Sequence, residues 1–295
     1  MRVFVTGASG FIGSAIVREL IGAGHEVLGF ARSDAAAGAL AAAGAQVHRG
    51  DLEDPDSLRS GVAMSDGVIH TAFNHDFSNF KANCETDRRA IETMGAVLEG
   101  SDRPLIVTSG TGLLTPGILA TEATMQNSGS PRVASEEAAT AIAARGVRVS
   151  VVRLPPSVHG EGDHGFVPML IGIAREKGVS VYQGEGQNRW PAVHRFDAAR
   201  LFRLALEKGT AGARYHGVAE EGVPFREIAG VISRRLNLPL VSKAPGEAAA
   251  HFGWFAHFAA IDNRASSQQT REQLGWQPAG PGLIEDIDQP YYFQA

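Results

Sequence analysis

The stretch Thr6-Gly7-Ala8-Ser9-Gly10-Phe11-Ile12-Gly13 decides the fold of this chain. It follows the apolar run Val3-Phe4-Val5, which is typical of a short strand buried on both faces of a sheet. It leads directly into a segment at 11–23 whose apolar residues recur with helical spacing. A glycine-rich turn between a strand and a helix is typical of a dinucleotide site, because the helix N-terminus offers free N–H groups to the pyrophosphate.

Each glycine of this turn has a predicted role. Gly7 lets the chain turn sharply, Gly10 lets the backbone approach a pyrophosphate, and Gly13 lets the helix pack close to the strand. The alternative is a tight strand–helix connection that binds no ligand. The presence of both a strand and a helix in the correct order favours the dinucleotide site.

Strands and helices alternate through the first half of the chain. The segment 34–45 is rich in alanine and predicts a helix, as does the segment that carries Ile91, Met94, Val97 and Leu98 on one face. This alternation predicts an α/β fold with a doubly wound, parallel sheet of Rossmann type. After the first strand, the predicted strands of this part are 26–30, 46–48, 67–70, 105–108 and 147–152.

The regular pattern weakens beyond residue 155, at Pro155-Pro156 and at the glycine-rich segment 160–165. Later segments predict a helix at 197–207, a strand near 215–218 and a helix at 225–236. We expect residues 1–155 to form the cofactor-binding domain and about 192–220 to rejoin it. We expect 156–191 and 221–295 to form a smaller, mixed region that caps the substrate site.

Composition excludes several classes of protein. The chain has 295 residues, 44% of them hydrophobic, which is enough for a sizeable core and excludes a disordered protein. Its net charge of −5 argues against non-specific binding of nucleic acid. The single cysteine, Cys84, cannot close an internal disulfide or build a thiolate zinc site. With no membrane-spanning run and no secretory signal pattern, we expect a cytoplasmic protein without a membrane partner.

The end of the second strand indicates which dinucleotide binds. The chain there reads Phe30-Ala31-Arg32-Ser33-Asp34, and sites for NAD usually have an acidic residue at this point. The guanidinium of Arg32 can hold a 2′-phosphate, and the Ser33 hydroxyl can donate to the same group. NADP(H) is therefore favoured; the alternative is that Arg32 is a solvated charge and Asp34 holds the ribose.

The glycine turn has the TGxxGxxG form and resembles that of the short-chain dehydrogenase/reductase superfamily. The closer resemblance is to its extended branch of NAD(P)-dependent epimerase/dehydratase-like proteins, and it implies a homodimer. Further segments similar to that branch follow in order along the chain: Gly50-Asp51-Leu52, His70-Thr71-Ala72, Asn83, Arg153-Leu154-Pro155-Pro156-Ser157-Val158-His159-Gly160 and 184–197.

The resemblance implies a set of cofactor contacts. The segment at Asp51 would contact adenine, the loop at Thr71 would follow the ribose, and the segment from Arg153 would back the nicotinamide. The implied contact residues are Gly7, Ser9, Gly10, Phe11, Ile12, Gly13, Arg32, Ser33, Asp51, Leu52, Thr71, Ala72, Phe73, Pro155, Ser157 and Val158.

One departure from the family pattern concerns its chemistry. The family uses a Tyr-x-x-x-Lys pair, in which the Lys lowers the pKa of the Tyr that moves a proton to or from the substrate oxygen. Residues 112–150 contain neither Tyr nor Lys. Arg132 falls at the Tyr position and Glu136 at the Lys position, while the Ser/Thr element that holds the oxygen is present in Thr108-Ser109-Gly110-Thr111.

Other residues must therefore take part in catalysis. Arg132 does not titrate near neutral pH but could polarise a carbonyl or bind a carboxylate. The alternative is a structural ion pair with Glu136 at i,i+4 spacing. A histidine outside this helix could serve as the proton donor, and His159 lies in the loop after the sixth strand, near the expected nicotinamide. His164, Tyr182 and His194 stay open as alternatives, and the neighbours of His159 do not match a metal pattern. The candidate catalytic residues are Ser109, Thr111, Arg132 and His159.

The predicted function is NADP(H)-dependent hydride transfer to or from a small carbonyl, alcohol or activated double bond. Two alternatives stay open. One is a redox sensor that binds NADP(H) without turnover, which the absent Tyr-Lys pair favours. The other is an NAD-dependent sugar epimerase or dehydratase, against which Arg32 counts. The substrate itself is not identified by the sequence.

Overall fold

The computed structural model describes residues 1–126 and 129–294. The strands in chain order are β1 (Arg2–Thr6), β2 (Glu26–Ala31), β3 (Gln46–Arg49), β4 (Gly67–His70), β5 (Leu105–Gly110), β6 (Leu119–Ala120), β7 (Val149–Leu154), β8 (Ser157–His159), β9 (Ser180–Gln183), β10 (Arg189–His194), β11 (Arg214–His216), β12 (Glu220–Pro224), β13 (Leu240–Lys243) and β14 (Arg264–Ala265). The α-helices are α1 (Phe11–Gly22), α2 (Asp34–Ala42), α3 (Pro55–Ala63), α4 (Phe80–Leu98), α5 (Ala134–Ala143), α6 (Phe166–Lys177), α7 (Arg195–Lys208), α8 (Phe225–Leu236), α9 (Pro245–Phe252), α10 (Ala256–Ala260), α11 (Gln268–Leu274) and α12 (Leu283–Ile287).

The main sheet has seven parallel strands in the order β11-β7-β5-β4-β1-β2-β3. The predicted α/β fold with a parallel Rossmann-type sheet is therefore confirmed. One face packs on α1 and α7 and the other on α3, α4 and α5. Strand order reverses between β1 and β4, and open α/β sheets bind ligands in the crevice at such a point.

The glycine turn sets the position of α1. Gly7 has a φ of +67°, and a Cβ there would lie 2.7 Å from the backbone nitrogen of Ala72. A Cβ on Gly13 would lie 2.0 Å from the carbonyl oxygen of Gly7. The first turn of α1 therefore folds directly against the loop, so Gly13 is required by the turn itself as well as by helix–strand packing.

Several boundaries differ from the predicted ones for local reasons. β5 and β7 each extend two residues beyond the predicted end of the strand. The extension forms because Ser109 pairs with Arg153 and Gly110 pairs with Leu154 in the sheet. α2 ends at Ala42, three residues early. Helix α3 was not predicted, although Pro55 begins it and the preceding Asp54 side chain accepts from two of its N–H groups.

A second core lies outside the main sheet. β8, β10 and β12 form a small sheet, and buried residues of α6, α8 and α9 share one hydrophobic cluster that includes Trp190 and Phe225. β11 returns to the main sheet beside β7, and α7 packs on α1. Trp276, which the sequence assigned to the capping region, packs in the main core and donates to the Asp197 carbonyl at 3.0 Å. Among the described residues, no helix has the length and apolar character needed to cross a membrane.

Replacing Gly13 with Ala tests whether the turn determines the fold. The new Cβ meets a backbone carbonyl that cannot rotate away, so we expect Gly13→Ala to lower the free energy of unfolding by at least about 3 kcal/mol. Gly38→Ala is the control, since nothing lies within 4 Å of its Cβ in the interior of α2. It should stabilise the protein by about 0.5–1 kcal/mol. Urea unfolding measures both; equal effects would contradict this account of the turn.

Candidate active site

The loops after β1 and β4 meet at the reversal point of the sheet. Thr71 donates its hydroxyl hydrogen to the Thr6 carbonyl at 2.8 Å, and the Ala72 N–H donates to the Thr6 hydroxyl at 3.4 Å. These contacts bring the predicted ribose loop against the glycine turn. The N-terminus of α1 opens into the same crevice.

The start of α1 fits a pyrophosphate. Its N-cap is Gly10, no side chain caps the helix in the described structure, and its first turn carries no acidic residue. The first intrahelical hydrogen bond is donated by the Ser14 N–H to the Gly10 carbonyl. The N–H groups of Phe11 and Ile12 precede it and therefore have no acceptor within the helix. Such a terminus holds phosphate through its N–H groups and its dipole.

The end of β2 is basic. The Arg32 side chain is 80% exposed, and its nearest acidic partner is Asp51 at 3.9 Å. Arg49 donates to the Ser33 carbonyl at 2.6 Å and to Asp34 at 2.7 Å. Asp34, the acidic alternative for holding a ribose, is exposed and pairs with Arg49, whereas Arg32 has only the longer contact to Asp51. Sequence reasoning missed Arg49, which lies one strand away on β3.

A buried polar chain begins at the end of β1. The hydroxyl of Thr6 lies 2.7 Å from Nδ1 of His70, and Nε2 of His70 lies 3.0 Å from Oδ1 of Asp87. A carboxylate accepts from Nε2, so this network assigns Nδ1 as the acceptor of the Thr6 proton. The other carboxylate oxygen of Asp87 accepts from Arg132 at 3.0 Å and from Ser135.

This chain fixes Arg132 at the carboxyl edge of the sheet. Its guanidinium carbon lies 4.1 Å from the centroid of the Phe73 ring, and Nη2 donates to the Thr108 carbonyl at 3.4 Å. Burial alone would raise the pKa of Asp87, but the hydrogen bonds from His70 and Ser135 and the positive charge of Arg132 hold it below the ordinary value. Asp87 is thus an anion that anchors Arg132. Sequence reasoning missed Asp87, which is an acidic residue among the apolar positions of the predicted helix.

The ion pair considered between Arg132 and Glu136 is absent from the described residues. Arg132 lies in a 3₁₀ turn before α5, so the helical i,i+4 geometry does not apply to the two side chains. Glu136 instead accepts two bonds from Arg153, at 2.8 and 2.7 Å, and one from Arg214 at 3.3 Å. Burial alone would raise the pKa of Glu136, but the bonds and charge of Arg153 lower it.

The other candidate catalytic residues lie in different surroundings. Ser109 is at the end of β5, where its hydroxyl accepts a bond from Gln126 at 3.1 Å. Thr111 is fully buried and donates to Asn263 at 2.9 Å, a contact that joins β5 to the capping region. His159 is 1% exposed and bonds Asp286 through Nδ1 at 2.8 Å. Arg132 thus reaches the carbonyl of Thr108, the neighbour of Ser109, whereas the Ser109 hydroxyl is hydrogen-bonded to Glu136 and Gln126. Thr111 and His159 contact residues of the last part of the chain, Asn263 and Asp286.

Two exposed histidines lie where loops meet at the crevice. The His75 ring packs against Phe73 with the centroids 5.1 Å apart, and the His164 ring packs against Phe11 at 5.8 Å. Arg195 also covers Phe11, at 4.5 Å, and it donates to the Glu161 carbonyl at 2.7 Å. The segment around His164 thus lies over the start of α1.

Comparison with a family profile establishes the family to which this chain belongs. The profile of the NAD dependent epimerase/dehydratase family matches residues 3–218. The chain belongs to this family. The predicted resemblance is thereby confirmed, and the family is one of nicotinamide-dinucleotide-dependent oxidoreductases and epimerases.

Individual proteins agree with this membership. The chain is 54% identical to an uncharacterized protein of Schizosaccharomyces pombe, over 99% of this chain and 100% of that one. It is 30% identical to the 2-alkyl-3-oxoalkanoate reductase of Stenotrophomonas maltophilia, over 83% of this chain and 78% of the reductase. The dTDP-glucose 4,6-dehydratase DesIV of Streptomyces venezuelae, solved with NAD and TYD bound, has a TM-score of 0.78 at 21% identity, over 99% and 97% of the chains. At that identity the likeness shows the fold alone.

Glu136→Gln tests the buried pair on α5. The variant removes the negative charge that pairs with the buried guanidinium of Arg153. We therefore expect the free energy of unfolding to fall by about 3–5 kcal/mol. The adjacent Glu137→Gln is the matched control, because Glu137 is 57% exposed and pairs with Arg88 at the surface. That change should cost no more than about 1 kcal/mol. If urea unfolding finds the two variants equally stable, the pair does not have the stabilising role described here.

Proposed function

We propose that the protein is an NADP(H)-dependent oxidoreductase that interconverts a ketone and a secondary alcohol. The observation that carries the choice of cofactor is the basic end of β2. Arg32 is exposed and weakly paired, Ser33 offers a hydroxyl, and Arg49 neutralises Asp34. The 2′-phosphate of NADP(H) is an anion that the positive charge of Arg32 can bind. The free ribose 2′-hydroxyl of NAD(H) needs a carboxylate as its acceptor, and the carboxylate of Asp34 is already paired with Arg49.

The remaining cofactor contacts follow the elements that border the crevice. The pyrophosphate would bind the first-turn N–H groups of α1, the adenine would lie near Asp51 and Leu52, and the ribose would follow Thr71 to Phe73. Pro155, Ser157 and Val158, after β7, would back the nicotinamide. When bound, the reduced cofactor supplies a hydride to the substrate.

Ser109 and Arg132 would receive the substrate oxygen. A hydroxyl and a guanidinium at the end of β5 are donors that can stabilise the negative charge that develops on a carbonyl oxygen during reduction. Asp87 and Phe73 hold the Arg132 guanidinium in one orientation, which avoids reorganisation when that charge appears. Arg132 would polarise the carbonyl without giving up a proton, because its pKa is above about 12.

The reductase relative supports a ketone as the substrate class. Its name specifies a 3-oxoalkanoate, and a ketoreductase of Stigmatella aurantiaca is 27% identical to this chain over 86% of it. Sugar-nucleotide chemistry of the DesIV type has weaker support here, because that likeness extends to the fold alone. A redox sensor would bind NADPH and turn over no ketone, so the two functions differ in one measurable respect.

Arg32→Ala tests the choice of cofactor. Loss of a charge-assisted contact to the 2′-phosphate should weaken NADPH binding by about 1–3 kcal/mol, roughly fivefold to 150-fold, and leave NADH binding unchanged. Calorimetric titration of both cofactors measures the two effects. Arg59→Ala is the control, since Arg59 pairs with Asp56 on the exposed face of α3. Equal losses for NADPH and NADH would show that Arg32 does not recognise the 2′-phosphate.

A further inference from the structure

The proposed reaction lacks an assigned proton donor. Reduction of a ketone places a negative charge on its oxygen, and Arg132 at the Tyr position holds its proton near neutral pH. Thr111 is fully buried and bonded to Asn263, and His159 is 1% exposed and bonded through Nδ1 to Asp286, with no partner on Nε2 among the described residues. An exposed donor at the carboxyl edge of β4 and β5 has to come from another element.

His75 lies on such an element. It follows β4 by five residues, in the loop that continues from Thr71 and Ala72. Its ring and the Arg132 guanidinium pack on the same side chain, Phe73, at centroid distances of 5.1 and 4.1 Å. The imidazole of His75, which would donate the proton, and the guanidinium of Arg132, which would polarise the carbonyl, thus both pack on the Phe73 ring.

We propose that His75 is a catalytic residue, the general acid that protonates the substrate oxygen in reduction and the general base that removes the same proton in oxidation. This inference rests on the proposed function. The carbonyl carbon gains the hydride, the π electron pair of the C=O bond moves onto the oxygen, and an N–H bond of His75 breaks as its proton forms the new O–H bond. The exposed ring regains a proton from solvent.

The surroundings of His75 suit this role. The His75 ring is exposed to solvent and packs edge-on against Phe73, so it is open to a ligand. Desolvation, and then the positive charges of Arg132 and His164, lower the pKa of His75 from its ordinary value of 6.5; the Phe73 carbonyl and the more distant Asp87 act in the opposite direction. The imidazolium is consequently a stronger acid than an ordinary histidine.

The direction of the pH dependence follows from that lowered pKa. Oxidation of an alcohol needs neutral His75, so kcat should be at its plateau above the His75 pKa and fall as the pH drops through it. Reduction needs the imidazolium, so kcat should fall as the pH rises through the same value. In kcat/KM, which reports the groups of the free enzyme, the same two transitions should lie below pH 6.5.

His75→Asn is the first test, with NADPH and a panel of 3-oxoacid esters and simple ketones. Asn keeps a hydrogen-bond donor but cannot titrate, so we expect kcat to fall by about 100-fold to 10,000-fold and the pH transition to disappear, with NADPH affinity unchanged. His257→Asn, on the exposed side of α10, is the matched control and should behave as the wild type. Retention of kcat and of the transition in His75→Asn, or their loss in His164→Asn alone, would overturn the assignment.

A titration of His75 by NMR tests the assignment without turnover. The ring signal is identified by its loss in His75→Asn, and its pKa is compared in complexes with NADPH and NADP⁺. The oxidised nicotinamide carries a positive charge, so the His75 pKa should be lower with NADP⁺ than with NADPH. Equal values would show that His75 is remote from the nicotinamide and would overturn the proposal. Failure of the wild type to reduce any ketone, despite that difference, would instead count against the reductase function.

Discussion

The contact between the first turn of α1 and the carbonyl of Gly7 is the constraint on which the site depends. Only a residue without a Cβ fits at Gly13, since a methyl group there would lie 2.0 Å from that oxygen. The contact directs the uncapped N-terminus of α1 into the crevice where the strand order reverses. The loop after β4, which carries Phe73 and His75, is positioned by bonds to the same turn.

Two separate ionic clusters lie at the positions where the resemblance would place a Tyr-Lys pair. Arg132 is neutralised by Asp87, and Glu136 by Arg153 and Arg214. Each cluster is complete without the other, so the replacement of Lys by Glu leaves no buried charge unpaired. A lysine at 136 would face the guanidinium groups of Arg153 and Arg214 with no carboxylate between them, so Glu136→Lys should be destabilising.

Local sequence signals predicted the architecture well. The strand at 67–70 and the helix at 225–236 have the bounds expected from their apolar patterns. The ionic clusters could not be predicted in the same way, because Arg132 and Asp87 are 45 residues apart and meet only through the packing of α4 against the turn before α5. Spacing along the chain suggested Glu136 as the partner of Arg132, but it describes neighbours only within a continuous helix.

We propose that this family member transfers a hydride with Arg132 and Glu136 at the positions of the Tyr-Lys pair. The most direct measurement is a single-turnover reaction with NADPH deuterated at the transferable position of C4 and a ketone panel, with products analysed by mass spectrometry. We predict one deuterium on the carbinol carbon of the product alcohol. Saturated binding of NADPH without deuterium in any product would contradict the account and favour a protein that binds the cofactor without turnover.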